Sequence, residues 1–213
     1  MAHFSDFSNF AFQLKQRLKK PLPGRSAQLK MAPKPIDERR FAEDPSRPAR
    51  LGGVMVLLYQ EDRQVRIPLM KRPIYNGAHS GQVSFPGGKF EEGDANLVET
   101  ALRETEEEIG IDMGEIEVLG NLSEMFIVAS NFKVLPTVGI VREFPIFKLD
   151  RKEVEAIYTP SLQQFTDVVE PKVKTMHFPP YTIHSPYYDV EGQVVWGATA
   201  MILGELAEVI KEL

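Results

Sequence analysis

The sequence predicts an α/β fold of the α+β kind, built in layers around one hydrophobic core. Strand patterns dominate the order of the chain, few helices interrupt them, and no internal repeat is visible. The 213 residues suffice for a sizeable core, and a hydrophobic fraction of 43% with a charged fraction of 26% is that of an ordinary globular protein. We therefore expect one layered domain with an N-terminal helical extension.

An amphipathic helix is predicted over residues 5–19, because apolar side chains recur there at helical spacing. They are Phe4, Phe7, Phe10, Ala11, Leu14 and Leu18. Pro21 ends the helix, and residues 21–50 are rich in proline and charge, which predicts an extended linker. The helix packs on the domain or on a second subunit, or lies on a membrane surface, and its short length favours packing. We divide the chain into helix and linker over 1–48 and a main domain over 49–213.

The main domain begins with a predicted β-hairpin. A continuous apolar run over 53–59 has the length of a buried strand, and an alternating segment over 65–71 follows a polar turn at 61–64. Further strands are predicted at 83–85, 115–122, 133–141, 153–157, 173–178 and 185–190. Helices are predicted over 95–110, where Gly110 stands at a C-terminal capping position, over 160–165 and over 199–212.

Composition and charge exclude several classes of function. The chain has no cysteine, so disulfides, thiolate nucleophiles and zinc–thiolate sites are excluded. It has no apolar run of the roughly 18 residues that a membrane span needs, and no apolar segment typical of a secretory signal, so we expect a cytoplasmic protein. The net charge of −5 disfavours nucleic-acid binding. If the substrate is a polyphosphate, metal ions and a few lysines and arginines must neutralise it locally.

Three carboxylates share one face of the helix predicted over 95–110. Glu104, Glu107 and Glu108 stand at positions i, i+3 and i+4, which places their Cβ atoms about 5–6 Å apart. Such crowded hard oxygen ligands suit Mg²⁺ or Mn²⁺. The Gly87–Gly88 turn can approach the same ion because glycine has no Cβ, and Arg103 can orient Glu104 through a charge-assisted bond. The pattern predicts a divalent-metal site for a phosphate-bearing substrate.

The acidic segment resembles the signature of the Nudix hydrolases, Gly-x5-Glu-x7-Arg-Glu-U-x-Glu-Glu-x-Gly-U, in which U is bulky and apolar. Gly88 opens the match and Ile111 closes it. Asp94 stands where Glu is usual, eight residues rather than seven separate it from Arg103, and Thr105 fills the first U position. The Asp and the extra residue are similar to the coenzyme A pyrophosphatase branch of that family.

A second segment supports the same branch. The residues from His79 to Gly88, which read His-Ser-Gly-Gln-Val-Ser-Phe-Pro-Gly-Gly, closely match its pattern, and Leu69 opens the upstream part. Gly77 departs from the pattern, since the branch usually has an arginine there. The stretch from Trp196 to Ala200 also looks like the branch, although Trp196 by itself reads as a core residue. The resemblance covers about residues 50–212 and implies a Nudix-type α/β/α sandwich with a mixed sheet.

The resemblance implies a role for each candidate site residue. Glu104, Glu107, Glu108 and the Gly88 carbonyl would hold one to three Mg²⁺ or Mn²⁺ ions. Glu104, held by Arg103, is the first candidate for the general base and Glu107 the second; a loop residue remains an alternative. The loop alternatives are Glu124, Glu143 and Glu170, and the substrate-binding candidates are Lys71, Arg72, His79, Gln82, Ser84 and Lys89.

The implied reaction is hydrolysis of the pyrophosphate bond of coenzyme A or its derivatives, giving 4′-phosphopantetheine and adenosine 3′,5′-bisphosphate. The first alternative is another nucleoside diphosphate derivative, such as ADP-ribose, a dinucleotide polyphosphate or NADH. A non-catalytic Nudix module that binds nucleotides is the second, but such proteins often lose the signature carboxylates, which this chain keeps. The oligomeric state stays open, with a homodimer as one alternative.

Overall fold

The computed structural model describes residues 6–36, 48–77, 79–178 and 180–213. Ser5 of the predicted first helix, the apolar Phe4 before it, residues 37–47 of the predicted linker, and Ala78 lie outside the described residues. The helices are α1 (Phe7–Arg17), α2 (Arg25–Gln28), α3 (Leu97–Ile109), α4 (Gln163–Thr166) and α5 (Gly197–Ile210). The strands are β1 (Arg50–Glu61), β2 (Gln64–Arg66), β3 (Leu69–Lys71), β4 (Val83–Ser84), β5 (Gly87–Lys89), β6 (Glu117–Asn121), β7 (Met125–Ile127), β8 (Phe132–Ile140), β9 (Ala156–Tyr158), β10 (Lys172–Phe178), β11 (Tyr181–Val190) and β12 (Gln193–Trp196).

The central sheet is mixed, as the sequence predicts. Strands β1 and β8 run parallel at its centre, while β2 and β5 pair antiparallel with β1, and β6 and β7 pair antiparallel with β8. Two smaller antiparallel sheets follow the orders β4-β3-β9 and β10-β11-β12. None of the helices in the described parts of the chain is long and apolar enough to cross a membrane.

The central strand β1 is buried on both faces, which explains its continuous apolar sequence. Met55 and Leu57 pack with helix α3 in one cluster, while Val56 and Leu58 pack with α1 and α5 in the other. Helices therefore cover both faces of the sheet, and the predicted α/β/α sandwich is confirmed.

The predicted hairpin forms, but its second arm is split. Asp62 and Arg63 both have positive φ, 49° and 62°, as a two-residue type I′ turn requires. The single strand predicted over 65–71 is instead β2 and β3. Pro68 lies between them and has no N–H to donate to a sheet, which accounts for the break.

The segment after α1 folds instead of remaining an extended linker. Helix α2 and a 3₁₀ turn over Leu29–Met31 pack on α5, and Ala27 and Met31 are buried there. The Glu205 carboxylate, fully buried on α5, accepts hydrogen bonds from Gly24 N–H, Gln28 Nε2 and Ser123 N–H. The prediction of an extended chain is wrong for residues 25–31, because a few apolar residues and one buried acceptor suffice to fix them. The domain boundary near residue 48 stays a prediction.

Candidate active site

Helix α3 lies directly on strands β1 and β5. Asn96 begins the helix by accepting hydrogen bonds from Val98 and Glu99 N–H, and Gly110 ends it with φ of 73°. The close approach requires glycine on the strands. A Cβ on Gly53 would meet the Ala101 nitrogen at 2.9 Å, and one on Gly88 would overlap the Glu104 carboxylate. The structure thus places Gly88 and Glu104 side by side, as the metal-site prediction requires.

Arg103 connects the acidic face to the loop before the helix. Its Nε and Nη2 lie 2.8 and 3.1 Å from the two oxygens of Asp94, and Nη2 also donates to the Lys89 carbonyl. Its Nη1 bonds both Glu104 and Glu107, at 3.0 and 2.8 Å. The Asp94 carboxylate is almost fully buried, and the guanidinium holds the pKa of Asp94 well below its usual range. Arg103, anchored on Asp94, therefore fixes the orientation of the Glu104 and Glu107 carboxylates.

The Glu108 carboxylate is buried between the diglycine strand and Arg72. It is 2% exposed, accepts a 2.8 Å hydrogen bond from Gly87 N–H, and lies 3.5 Å from Arg72 Nη2. Arg72 also donates to the Gly87 carbonyl at 3.2 Å. Burial raises the pKa of Glu108 to about 8, against the opposing effects of Arg72 and the amide. Glu108 is thus an acid that the fold holds protonated near neutral pH.

Glu104 and Glu107 differ in environment although they share Arg103. Burial raises the pKa of Glu104, and the Arg103 charge opposes the rise. The Glu107 side chain is 58% exposed at the rim of the site. Solvent exposure of the three glutamates therefore increases along one helix face, from the buried Glu108 through Glu104 to the solvated Glu107.

The oxygen atoms of this site are of the type that binds a hard divalent cation, although the side chains do not converge into a complete metal-binding arrangement. Within the described residues, no group of three His, Asp or Glu side chains converges closely enough to hold a metal ion. The Arg103 guanidinium instead bridges Glu104 and Glu107. Carboxylate oxygens beside a glycine backbone are nevertheless the ligands that Mg²⁺ and Mn²⁺ prefer, and a side chain at Gly88 would fill the space beside Glu104.

The six substrate-binding candidates differ in their contacts. Arg72 contacts Glu108 directly, as described above, whereas Lys71 is ion-paired with Glu155 at 2.8 Å. His79 Nδ1 and Gln82 Oε1 are hydrogen-bonded at 3.1 Å in the loop between β3 and β4. The remaining two are Ser84, whose buried Oγ has no hydrogen-bond partner within the described residues, and Lys89, which is exposed. Their contacts with a substrate stay predictions.

Comparison with known proteins decides the family. The NUDIX domain family matches residues 49–174, more than half of the chain. The chain belongs to this family. A relative from Arabidopsis thaliana, "Nudix hydrolase 15, mitochondrial", is 35% identical over 182 residues, which cover 81% of this chain and 63% of that protein. A Yersinia enterocolitica relative, "Uncharacterized Nudix hydrolase NudL", is 34% identical over 148 residues, which cover 66% of this chain and 71% of that protein. The chain thus spans less than two thirds of the Arabidopsis protein's length.

Solved structures agree with the Nudix fold. The MutT protein of Methanosarcina mazei Go1 matches with a TM-score of 0.52 and 18% identity, over 80% of this chain and 100% of that one. The M. smegmatis Nudix hydrolase RenU matches with a TM-score of 0.51 and 12% identity, over 78% of this chain and 90% of that one. At these identities the likeness shows the fold alone.

Sequence reasoning missed one carboxylate near the acidic face of helix α3. Glu153 lies in the turn before β9, and its charge adds to burial, the main cause that raises the pKa of both Glu104 and Glu108. The turn is tied to helix α3 by a hydrogen bond from Asp150 N–H to the Glu108 carbonyl. No spacing in the sequence announces this contact, since about fifty residues separate the two. Of the loop acids considered from sequence, Glu124 is ion-paired with Lys133, and Glu143 and Glu170 are exposed.

Proposed function

We propose that this Nudix protein hydrolyses the pyrophosphate bond of coenzyme A or a coenzyme A derivative. The products would be 4′-phosphopantetheine and adenosine 3′,5′-bisphosphate. One observation carries the proposal. Arg72 belongs to the segment that resembles the coenzyme A branch, and its guanidinium contacts both Glu108 and the Gly87 carbonyl. The segment that resembles the coenzyme A branch therefore contacts the acidic helix, which supports a role for both in one site.

The acidic face of helix α3 would hold the cation, and the arginines would keep its carboxylates in place. Glu104, Glu107, Glu108 and the Gly88 carbonyl would bind Mg²⁺ or Mn²⁺, which supplies charge neutralisation at the phosphates and lowers the pKa of bound water. Arg103 keeps Glu104 in one orientation through its anchor on Asp94. Positioning and charge stabilisation carry most of the barrier reduction in displacement at phosphorus.

Glu104 is the first candidate for the residue that takes the proton of the attacking water. Burial raises its pKa, which makes the ionised form a better base near neutral pH. Glu107 is the second candidate, and Glu153 is a third, because its charge acts on Glu104 and Glu108 from a loop outside the helix. Glu104→Gln should abolish the ionisation on the acidic limb of the kcat profile. If that limb persists in Glu104→Gln and disappears in Glu153→Gln, the assignments are exchanged.

The substrate is tested by incubating the protein with coenzyme A and Mg²⁺ and separating the products by chromatography. Adenosine 3′,5′-bisphosphate is the expected product. Its absence, with strong cleavage of ADP-ribose or a dinucleotide polyphosphate, would transfer the assignment to that substrate. If none of these compounds is hydrolysed with Mg²⁺ or Mn²⁺, the result would favour the alternative of a non-catalytic module that binds nucleotides. Glu107→Gln should lose turnover and keep the circular dichroism spectrum of the parent, because Glu107 is a solvated rim residue.

A further inference from the structure

An aromatic pair stands at the surface where the β10–β11 hairpin returns to the domain. The rings of Phe178 and Trp196 are stacked, with centroids 6.1 Å apart and planes inclined by 26°. Phe178 remains 50% exposed, and Trp196, expected in the core, is only partly buried. The other stacked pair within the described ranges, Phe7 and Phe10, is buried in the core. The surface pair thus keeps a large aromatic area accessible although packing already holds its rings in place.

The pair lies close to the substrate segment. Trp196 ends β12, and three residues later Thr199 Oγ1 donates a 3.2 Å hydrogen bond to the Val83 carbonyl. Val83 is the sheet partner of Lys71, and Arg72 follows Lys71 in the chain. Three residues span at most about 10–11 Å. Trp196 therefore lies within three residues of a direct hydrogen bond to β4, the strand paired with the one that leads to Arg72.

The chemistry of the pair suits a flat heterocycle. Base stacking needs an aromatic face held in place, and it needs no particular hydrogen-bonding edge. We propose that Phe178, backed by Trp196, stacks the nucleobase of the substrate; this inference rests on the proposed action on a nucleoside diphosphate derivative. Recognition by stacking favours purines, which have the larger face, and discriminates little between adenine and guanine.

The single tryptophan of the chain provides a direct probe, because all indole fluorescence comes from Trp196. Titrating the full chain with ADP and Mg²⁺ should change the fluorescence, whereas ribose 5-phosphate, which lacks the base, should not. Calorimetry gives the affinity independently. Phe178→Leu should weaken ADP binding roughly 5- to 150-fold, the range of one base–aromatic stack. Phe178→Tyr should retain the affinity, and Phe12→Leu, an exposed site on α1, is the matched control.

The kinetic readout separates this inference from the proposed function. On whichever pyrophosphate substrate the protein turns over, Phe178→Leu should raise KM and leave kcat within about twofold, because the base is remote from the reacting phosphorus. Unchanged ADP affinity and unchanged KM in Phe178→Leu would overturn the stacking role while hydrolysis stands. Loss of self-association in Phe178→Leu, with ADP affinity intact, would also overturn it and assign the pair to a protein interface. Failure of coenzyme A hydrolysis, with ADP binding that still depends on Phe178, would overturn the proposed substrate and support the stacking role of Phe178.

Discussion

Replacing Glu108 by glutamine should stabilise the metal-free protein at neutral pH while it removes activity. The fold raises the pKa of Glu108 from 4.5 to about 8. Between those values the native state keeps a proton that the unfolded chain has released, so the free energy of unfolding falls as pH rises. The loss is about 1.4 kcal/mol per pH unit, or about 3 kcal/mol between pH 4.5 and pH 7. Glutamine has the same shape and cannot ionise, so it avoids this loss.

The net gain in stability should be smaller than the full linkage value. Near pH 7 Glu108 is mostly protonated, so Glu108→Gln removes only the minor ionised form of this neighbour of Arg72, and the Arg72 side chain, 23% exposed, is partly solvated in both proteins. The Gly87 N–H keeps an acceptor, because the glutamine carbonyl can replace Oε2. We therefore expect the variant to exceed the parent by about 2 kcal/mol at pH 7, and by nothing at pH 4.5.

The assay is urea unfolding followed by circular dichroism at half-unit steps from pH 4.5 to pH 8.5, in EDTA. Glu92→Gln, at an exposed position in the turn before α3, is the matched control and should follow the parent at every pH. A constant difference between Glu108→Gln and the parent across this range would refute the reasoning, because the buried carboxyl would then not titrate where the fold places it. Added Mg²⁺ should stabilise the parent more than the variant, since a bound cation favours ionised Glu108 and binding to the native state raises stability.

Three further predictions test the frame around the site. Asp94→Asn should cost about 2–4 kcal/mol of unfolding free energy at pH 7. The cost should fade as pH falls below 3.8, because Arg103 stabilises only the ionised form of Asp94. A cost that does not vary with pH would contradict the charge pairing. Gly88→Ala should lower kcat about 100-fold with little change in melting temperature, because its Cβ displaces the Glu104 carboxylate; normal kcat would refute that contact. Glu205→Ala should lower the free energy of unfolding by about 3 kcal/mol, because it leaves buried donors unpaired. The control Glu208→Ala, at a solvated ion pair, should lower it by less than about 1 kcal/mol. Equal losses in the two variants would contradict the buried network around Glu205.

The acidic helix could be predicted because its information is local. Glu104, Glu107 and Glu108 share a face by helical periodicity alone, and Gly110 ends the helix where a left-handed residue is needed. The pairing of β1 with β5 then brings Gly88 to Glu104, and the register Gly53 opposite Gly88 follows from two positions that tolerate no side chain. Glycine spacing therefore carried long-range information here.

The features missed from sequence depend on contacts between distant segments or on very short elements. Strands β5, β7 and β12 have three or four residues, too few for an alternating pattern to be recognised. The folded segment around Met31 is fixed by α5, which lies about 170 residues later. Glu153 reaches the site only because its turn is bonded to helix α3. Tertiary contacts decide each of these, and local propensity does not report them.

The charge pattern of the site gives a physical reason to expect metal dependence. Arg103 is bonded to Asp94, Glu104 and Glu107, and Arg72 lies against Glu108. Two guanidinium groups thus face four carboxyl groups, of which Glu108 is mostly protonated near neutral pH without a cation, in a chain whose net charge is already −5. A pyrophosphate that approached this face would add further negative charge at short range, where the low dielectric of a partly buried site strengthens repulsion. The fold therefore provides oxygen ligands and their orientation, and we expect an added divalent cation to supply the positive charge that the proposed substrate requires.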